Sequence, residues 1–190
     1  MPTYEVVERH HIRVAAPADV TFAVACETNL LDSPIIRAIF RAREIVLGAT
    51  PDPSVHPRGL VEWSRSIGWQ VLADVPERQI VMGAATQPWR ANVQFTPLTR
   101  DQFVAFNTPD YVKIAWTLRA DAIGPEASMF RTETRVTTTD AEARTKFRRY
   151  WSVFSPGIVL IRWLALEPVR REAERRVRTT RAALMANTLH

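Results

Sequence analysis

The last third of the chain, residues 140–185, constrains the fold more than any other stretch, because it reads as a long helix that has to be covered. Asp140 follows Thr137, Thr138 and Thr139 as a good N-cap, and Glu142 puts a carboxylate in the first turn. Ala143, Phe147, Tyr150, Trp151 and Phe154 then recur at helical spacing and make one broad apolar face. Ser155, Pro156 and Gly157 predict a stop and a restart, with Ser155 as N-cap and Pro156 at the first helical position. Residues 158–166 are apolar all round except for Arg162, the pattern of a helix buried on most sides. Pro168 predicts a kink, and residues 169–181 continue as a basic, more exposed tail. Whatever precedes this helix must supply a wall around it.

The upstream chain supplies mostly strands. Residues 4–15 alternate, with Val6, Glu8, His10, Ile12 and Val14 on one side and Val7, Arg9, His11 and Arg13 on the other, as in a half-buried strand. A helix is predicted from Pro17 to about Thr28. After a break, a second begins at Pro34 and ends at Gly48. Residues 49–58 hold three prolines and read as a loop, with a short helix over 59–66. Residues 68–75 and 79–85 read as an antiparallel pair, with Trp69, Val71, Ala73 and Val75 on one face of the first. Residues 93–95 and 103–106 are short strand candidates. Residues 111–120 and 129–136 form the clearest hairpin. Apolar matching pairs Leu118 with Phe130 and Val112 with Val136, which places Thr132 beside Trp116 and Thr134 beside Ile114 on the inner face. Arg131, Glu133 and Arg135 then point outward as a surface ladder. The order is strand, two helices, a run of about six strands, and a long helix, which means α+β. No boundary divides the 190 residues, so one domain over 1–190 is expected.

That order, together with four local stretches, resembles the START-like (SRPBCC) superfamily. The stretches are Val14-Ala15-Ala16-Pro17-Ala18-Asp19-Val20-Thr21-Phe22, Gly68-Trp69-Gln70-Val71-Leu72-Ala73, Thr132-Glu133-Thr134-Arg135-Val136 and Phe147-Arg148-Arg149-Tyr150-Trp151. They look like a bacterial subgroup labelled polyketide cyclase/dehydrase or lipid-transport-like. The resemblance implies a helix-grip fold: a curved antiparallel sheet of about six or seven strands around a long C-terminal helix, with two short helices after the first strand. It also implies an apolar cavity between sheet and helix. It brings no catalytic residues with it. The interruption at Ser155-Pro156-Gly157 departs from the continuous closing helix of most helix-grip proteins.

Composition and motifs exclude several chemistries. Six glycines include no Gly-x-Gly pair, so there is no dinucleotide or P-loop phosphate cradle, and no Gly-x-Ser-x-Gly elbow is present. One cysteine, Cys26, and histidines at 10, 11, 56 and 190 give no metal-ligand spacing. His10 and His11 face opposite sides of one strand and read as satisfied structural histidines. No metal, cofactor or catalytic residue is predicted. Net charge is +5, and six arginines against two glutamates in residues 170–181 supply most of it. Without interleaved aromatics or a nucleic-acid motif, that tail reads as a solvated helix end whose cations complement the helix dipole, not a specific nucleic-acid site. Residues 1–16 are polar and alternating, the longest apolar run is short of a span of about 20 residues, and a lone cysteine cannot form an internal disulfide. No leader, no transmembrane segment and a cytoplasmic setting are expected.

The candidate pocket consists of Trp89, Trp116, Trp151, Phe130 and Phe154 as aromatic lining and Thr132 and Thr134 as polar points on the inner wall. Each aromatic also suits a plain core, and the threonines also suit plain strands. Arg162 is open to three roles: anchoring a ligand carboxylate, pairing with an internal acid, or snorkelling outward. The first is the expectation, because the helix around Arg162 has few sides free. The predicted function is binding of a small hydrophobic or amphipathic molecule (lipid, polyketide or aromatic acid) under the C-terminal helix. The rivals are an aromatase/cyclase-type enzyme, for which no acid/base pair is evident, and a protein-interaction module.

Overall fold

The computed structural model describes residues 4–50 and 57–188. Strand β1 (Val6–Val14) leads into helix α1 (Ala18–Glu27), a single 3-10 turn (Leu30–Asp32) and helix α2 (Pro34–Leu47). Ser33 caps α2 by accepting from the Ile36 amide, Pro34 takes the first turn, and Gly48 ends it in the left-handed region at φ 67°. Helix α3 (Leu60–Ser66) precedes the hairpin of β2 (Gln70–Val75) and β3 (Gln79–Thr86). A short β4 (Phe95–Thr96), helix α4 (Arg100–Ala105), the long hairpin β5 (Val112–Gly124) and β6 (Ala127–Thr138), and helices α5 (Ala141–Leu164) and α6 (Leu166–Thr188) complete the chain. The strands form one antiparallel sheet in the order β1-β6-β5-β3-β2, with β4 paired to β3. This is the α+β, helix-grip arrangement, with α5 and α6 lying along the inner face. Most of the predicted 49–58 loop, residues 51–56, lies outside the described residues.

Five local expectations differ from the structure. Residues 103–106 are not strand: Thr99 and Gln102 form a reciprocal capping box that starts α4, and Phe103 is buried within it. The β5–β6 register is displaced by two residues, so Thr134 sits opposite Trp116, Thr132 opposite Leu118 and Phe130 opposite Ala120. The strands run on to Gly124 and Ala127 around a tighter turn than apolar matching suggests, and a two-residue slip keeps every side chain on its face. In β2 an irregularity between Val71 and Ala73 breaks the alternation, and Val75 ends up exposed.

The other two concern the closing helix. α5 runs unbroken through Ser155-Pro156-Gly157, with Pro156 inside it. Phe147, Tyr150, Trp151, Phe154, Ile158, Ile161 and Arg162 keep helical spacing across the proline, and that continuous inward stripe holds the helix together at the cost of one hydrogen bond. The break comes at Ala165 instead. Pro168 lies in the first turn of α6, where its missing N–H is no loss. Nor is residues 158–166 a segment buried on most sides. Leu160 and Trp163 are exposed, Trp163 by 66%, and the apolar run coats an outer face as well as an inner one.

By length and composition, the stretch from Ala141 to Asn187 is apolar enough to cross a membrane. In the fold, its inner side packs against the sheet through Phe147, Leu166, Val169 and Ala173. The basic tail is held in ion pairs along and off the helix. Glu167 takes Arg170 and Arg171, Glu172 takes Arg175 and Arg176, and Arg176 and Arg181 reach Glu27 and Glu126. Outside the sheet, Glu133 joins Arg9 and Arg135, and Asp121 gathers Arg78, Arg119 and Arg131.

Candidate ligand cavity

Between the sheet and α5 lies a cavity of about 730 Å³. Small-molecule sites run from roughly 300 to 1,000 Å³. The floor is the inner face of β1, β6 and β5, the roof is α5, and α2 and α3 close the side with Ile39, Phe40, Val46, Leu60 and Trp63. Val46 and Val153 belong to the wall yet are mostly exposed, so the cavity reaches the surface between α2 and α5. Just beside that mouth, Gly157 passes α2 so closely that a Cβ there would stand 3.0 Å from Ile39 Cγ2.

Seven of the eight candidate residues lie on this wall. Trp116 and Phe130 are buried on the floor beside Thr132 and Thr134, while Trp151, Phe154 and Arg162 come from the roof. Trp116 stacks at a tilt on Trp69, itself on the wall, with centroids 6.1 Å apart. Trp89 is not on the wall. It follows the end of β3, where Pro88 takes the lining position, and it packs against the cluster of Val112, Val136 and Phe147.

Polar groups on this apolar wall are few, and two arginines show opposite conditions. Arg43 of α2 is engaged: it donates to the Pro88 and Arg90 carbonyls and to the Tyr150 hydroxyl, and it lies over the Tyr150 ring. Arg162 makes no hydrogen bond to any described residue, and its Nε is buried without a partner. Burial pushes its guanidinium down to about 10, with the Glu8 carboxylate pulling the other way, and at neutral pH it remains a cation. Glu8 lines the same cavity from β1. It sits directly across from Thr134 on β6, whose Oγ1 is also buried and unpartnered. Behind it, His10 Nε2 lies 3.6 Å from Glu8 Oε2, too far for a hydrogen bond, and has no other partner. The expectation of a satisfied structural His10 is therefore corrected: the ring is half-buried and its Nε2 is left open.

Glu8 is the residue that sequence reasoning missed. Its signal was present, since the alternation of β1 puts it on the same side as Val6, Ile12 and Val14, and a carboxylate on an apolar face needs a reason. A sheet wrapped on a long helix, two helices inserted after the first strand, and a cavity between them settle the architecture. The fold is a helix-grip.

No family model matches the sequence, and no curated protein matches it. Among solved structures the chain is similar to norcoclaurine synthase from Thalictrum flavum, a point mutant in complex with a transition-state analogue, at 11% identity and a TM-score of 0.41, covering 90% of this chain and 95% of that one. It is similar to the Zhui aromatase/cyclase from Streptomyces sp. R1128 at 16% identity and a TM-score of 0.31, over 90% and 95% of the two chains. DR_A0006 from Deinococcus radiodurans follows at 13% identity and a TM-score of 0.33, over 76% and 94%. Likenesses this distant say nothing of ligand or reaction.

Proposed function

We propose that the protein binds a small amphipathic molecule in the cavity between the sheet and α5. The observation that supports this best is the cavity itself: about 730 Å³ of space walled by aromatic and aliphatic side chains, with the unsatisfied Thr134 Oγ1 and Arg162 Nε belonging to wall residues. Apolar ligand surface leaving water contributes about 25 cal/mol per Å². The polar groups orient what is held. Native mass spectrometry of the full chain, followed by displacement of an environment-sensitive apolar dye with added alkyl or aromatic compounds, tests the reading. Expected are a mass increment that vanishes on organic extraction and dye displacement at micromolar concentrations. A protein that never retains a small molecule and binds neither dye nor competitor would refute it.

One observation favours a second reading, an enzyme of the cyclase type. Glu8 is an ionisable group on the cavity wall, beside a cation and within 3.6 Å of an imidazole, which is the kind of group a proton-transfer step requires. A binding protein keeps its ligand chemically unchanged over days of incubation. Conversion of a bound compound by the wild type, and its arrest in Glu8→Gln with binding retained, would decide for the enzyme.

A further inference from the structure

We infer that Glu8, Arg162 and Thr134 form a head-group subsite that takes a hydroxyl, from an alcohol or a phenol, in preference to a carboxylate. This deepens the binding reading above and rests on it. The sequence alone points to an acidic ligand, because Arg162 stands as one cation in an apolar helix. The structure changes the charge count. Glu8 lines the same cavity and acts on Arg162 through its charge. Their charged atoms are nevertheless more than 4.0 Å apart, outside ion-pair contact. The subsite is thus a separated cation and anion whose charges cancel.

Each group lacks what a hydroxyl supplies. The Arg162 guanidinium has only donors, five N–H groups, and none meets an acceptor among the described residues. The Glu8 carboxylate accepts only, it makes no hydrogen bond to any described residue, and His10 Nε2 lies out of reach at 3.6 Å. Thr134 Oγ1, across the strand pair from Glu8, can do either and does neither. A hydroxyl oxygen accepts from Arg162 while its proton is donated to Glu8, so one atom satisfies both sides of the gap. A ligand carboxylate would accept from Arg162 but would set a second negative charge directly against Glu8. An alkylammonium does the reverse against Arg162. Arg43, the other cation on the wall, keeps its charge but is held at Tyr150, about three turns along α5 from Arg162, by the Tyr150 hydroxyl and the Pro88 and Arg90 carbonyls.

The test uses the full chain stripped of bound material and four probes sharing one tail: dodecanol, dodecanoate, dodecylammonium and dodecane. Affinities are read by dye displacement at pH 7.5. In the wild type dodecanol should bind about tenfold or more tightly than either ion, as a charge-assisted hydrogen bond gained or lost implies. Glu8→Gln should raise dodecanoate affinity by about tenfold. Arg162→Gln should do the same for dodecylammonium, so that each variant gains a ligand instead of merely losing one. Thr134→Val, which keeps shape and fold, should narrow the preference for dodecanol over dodecane. Dodecanoate binding most tightly to the wild type would overturn the inference, and so would equal binding of all four. If none of the four binds, dodecane included, the cavity-binding reading falls with it; if dodecane binds without head-group selection, only the subsite falls.

Discussion

The two ends of the same sheet face differ in how they are filled. Toward the end of β1, α1 and α6 lie directly on the strands, and Val14, Ala16, Val24 and Ala173 leave essentially no space between them. Toward the start of β1, α5 stands off the sheet and the cavity takes the room. The polar groups follow the same division. Ser128 and Thr21 in the filled end are fully buried and share a hydrogen bond of 2.8 Å, whereas Thr134, three residue pairs further along the same face of β6, is buried without one. One strand therefore carries both a finished core and an unfinished site.

The contrast can be broken most forcefully at Val14, which is wholly buried at the filled end of β1. Val14→Ala should cost about 2 kcal/mol or more in urea denaturation. A loss below about 1 kcal/mol would show that this end can collapse, and would erase the distinction. A finer comparison uses the hydroxyls. Ser128→Ala strands the buried Thr21 hydroxyl and should cost about 1–3 kcal/mol. Thr134→Val replaces an unpartnered hydroxyl with a methyl and should be neutral or stabilising in the ligand-free protein. Equal losses at both positions would show that Thr134 is satisfied in solution.

The hollow end has its own acid-sensitive fastening. Burial alone would raise the Glu5 carboxyl, but hydrogen bonds from the Thr138 side chain and amide and from Arg144 outweigh it and hold the group below its ordinary value near 4.5. A depressed folded value means that the stabilisation is complete above about pH 4.5 and is lost as the pH falls through the folded value. Glu5→Gln should lower the melting temperature at pH 7 and flatten its decline below pH 4.5. An unchanged acid limb in the variant would move the origin of that decline elsewhere. The smallest effect belongs to Cys26 at the end of α1, where burial first, and the charges of Asp74 and Glu27 after it, push the thiol up to about 11. At pH 8 a maleimide should label it slowly in the native protein and rapidly in urea. Fast native labelling would mean that α1 opens readily.

How much of this was legible from residues depends on which force decided each feature. Alternation and helical spacing record burial, so β1, the β5–β6 hairpin, the inner placement of Thr132 and Thr134, and the inward stripe of α5 follow directly from them. Register does not, because Leu118 and Phe130 match just as well two residues out of step, and the length of the turn decides. The continuity of α5 through Pro156 was hidden for a related reason. A proline's local cost is written in the sequence, while the packing that outweighs it lies across the fold, at α2 and the sheet. Trp89 shows the limit for site residues, since an aromatic beyond the end of a strand no longer obeys the strand's alternation. Glu8 shows the opposite: its position was readable, but its meaning needed Arg162 to be seen in the same cavity.

Gly157 has a consequence for time rather than affinity. At the mouth between α2 and α5 nothing but hydrogen separates the α5 backbone from Ile39. A side chain at 157 would press on Ile39 at the mouth without touching Glu8, Arg162 or Thr134 of the proposed subsite. Entry and exit should then both change in rate while their ratio stays nearly constant. How long a molecule resides and how tightly it is held are in this way set by different residues, and either can change while the other is kept.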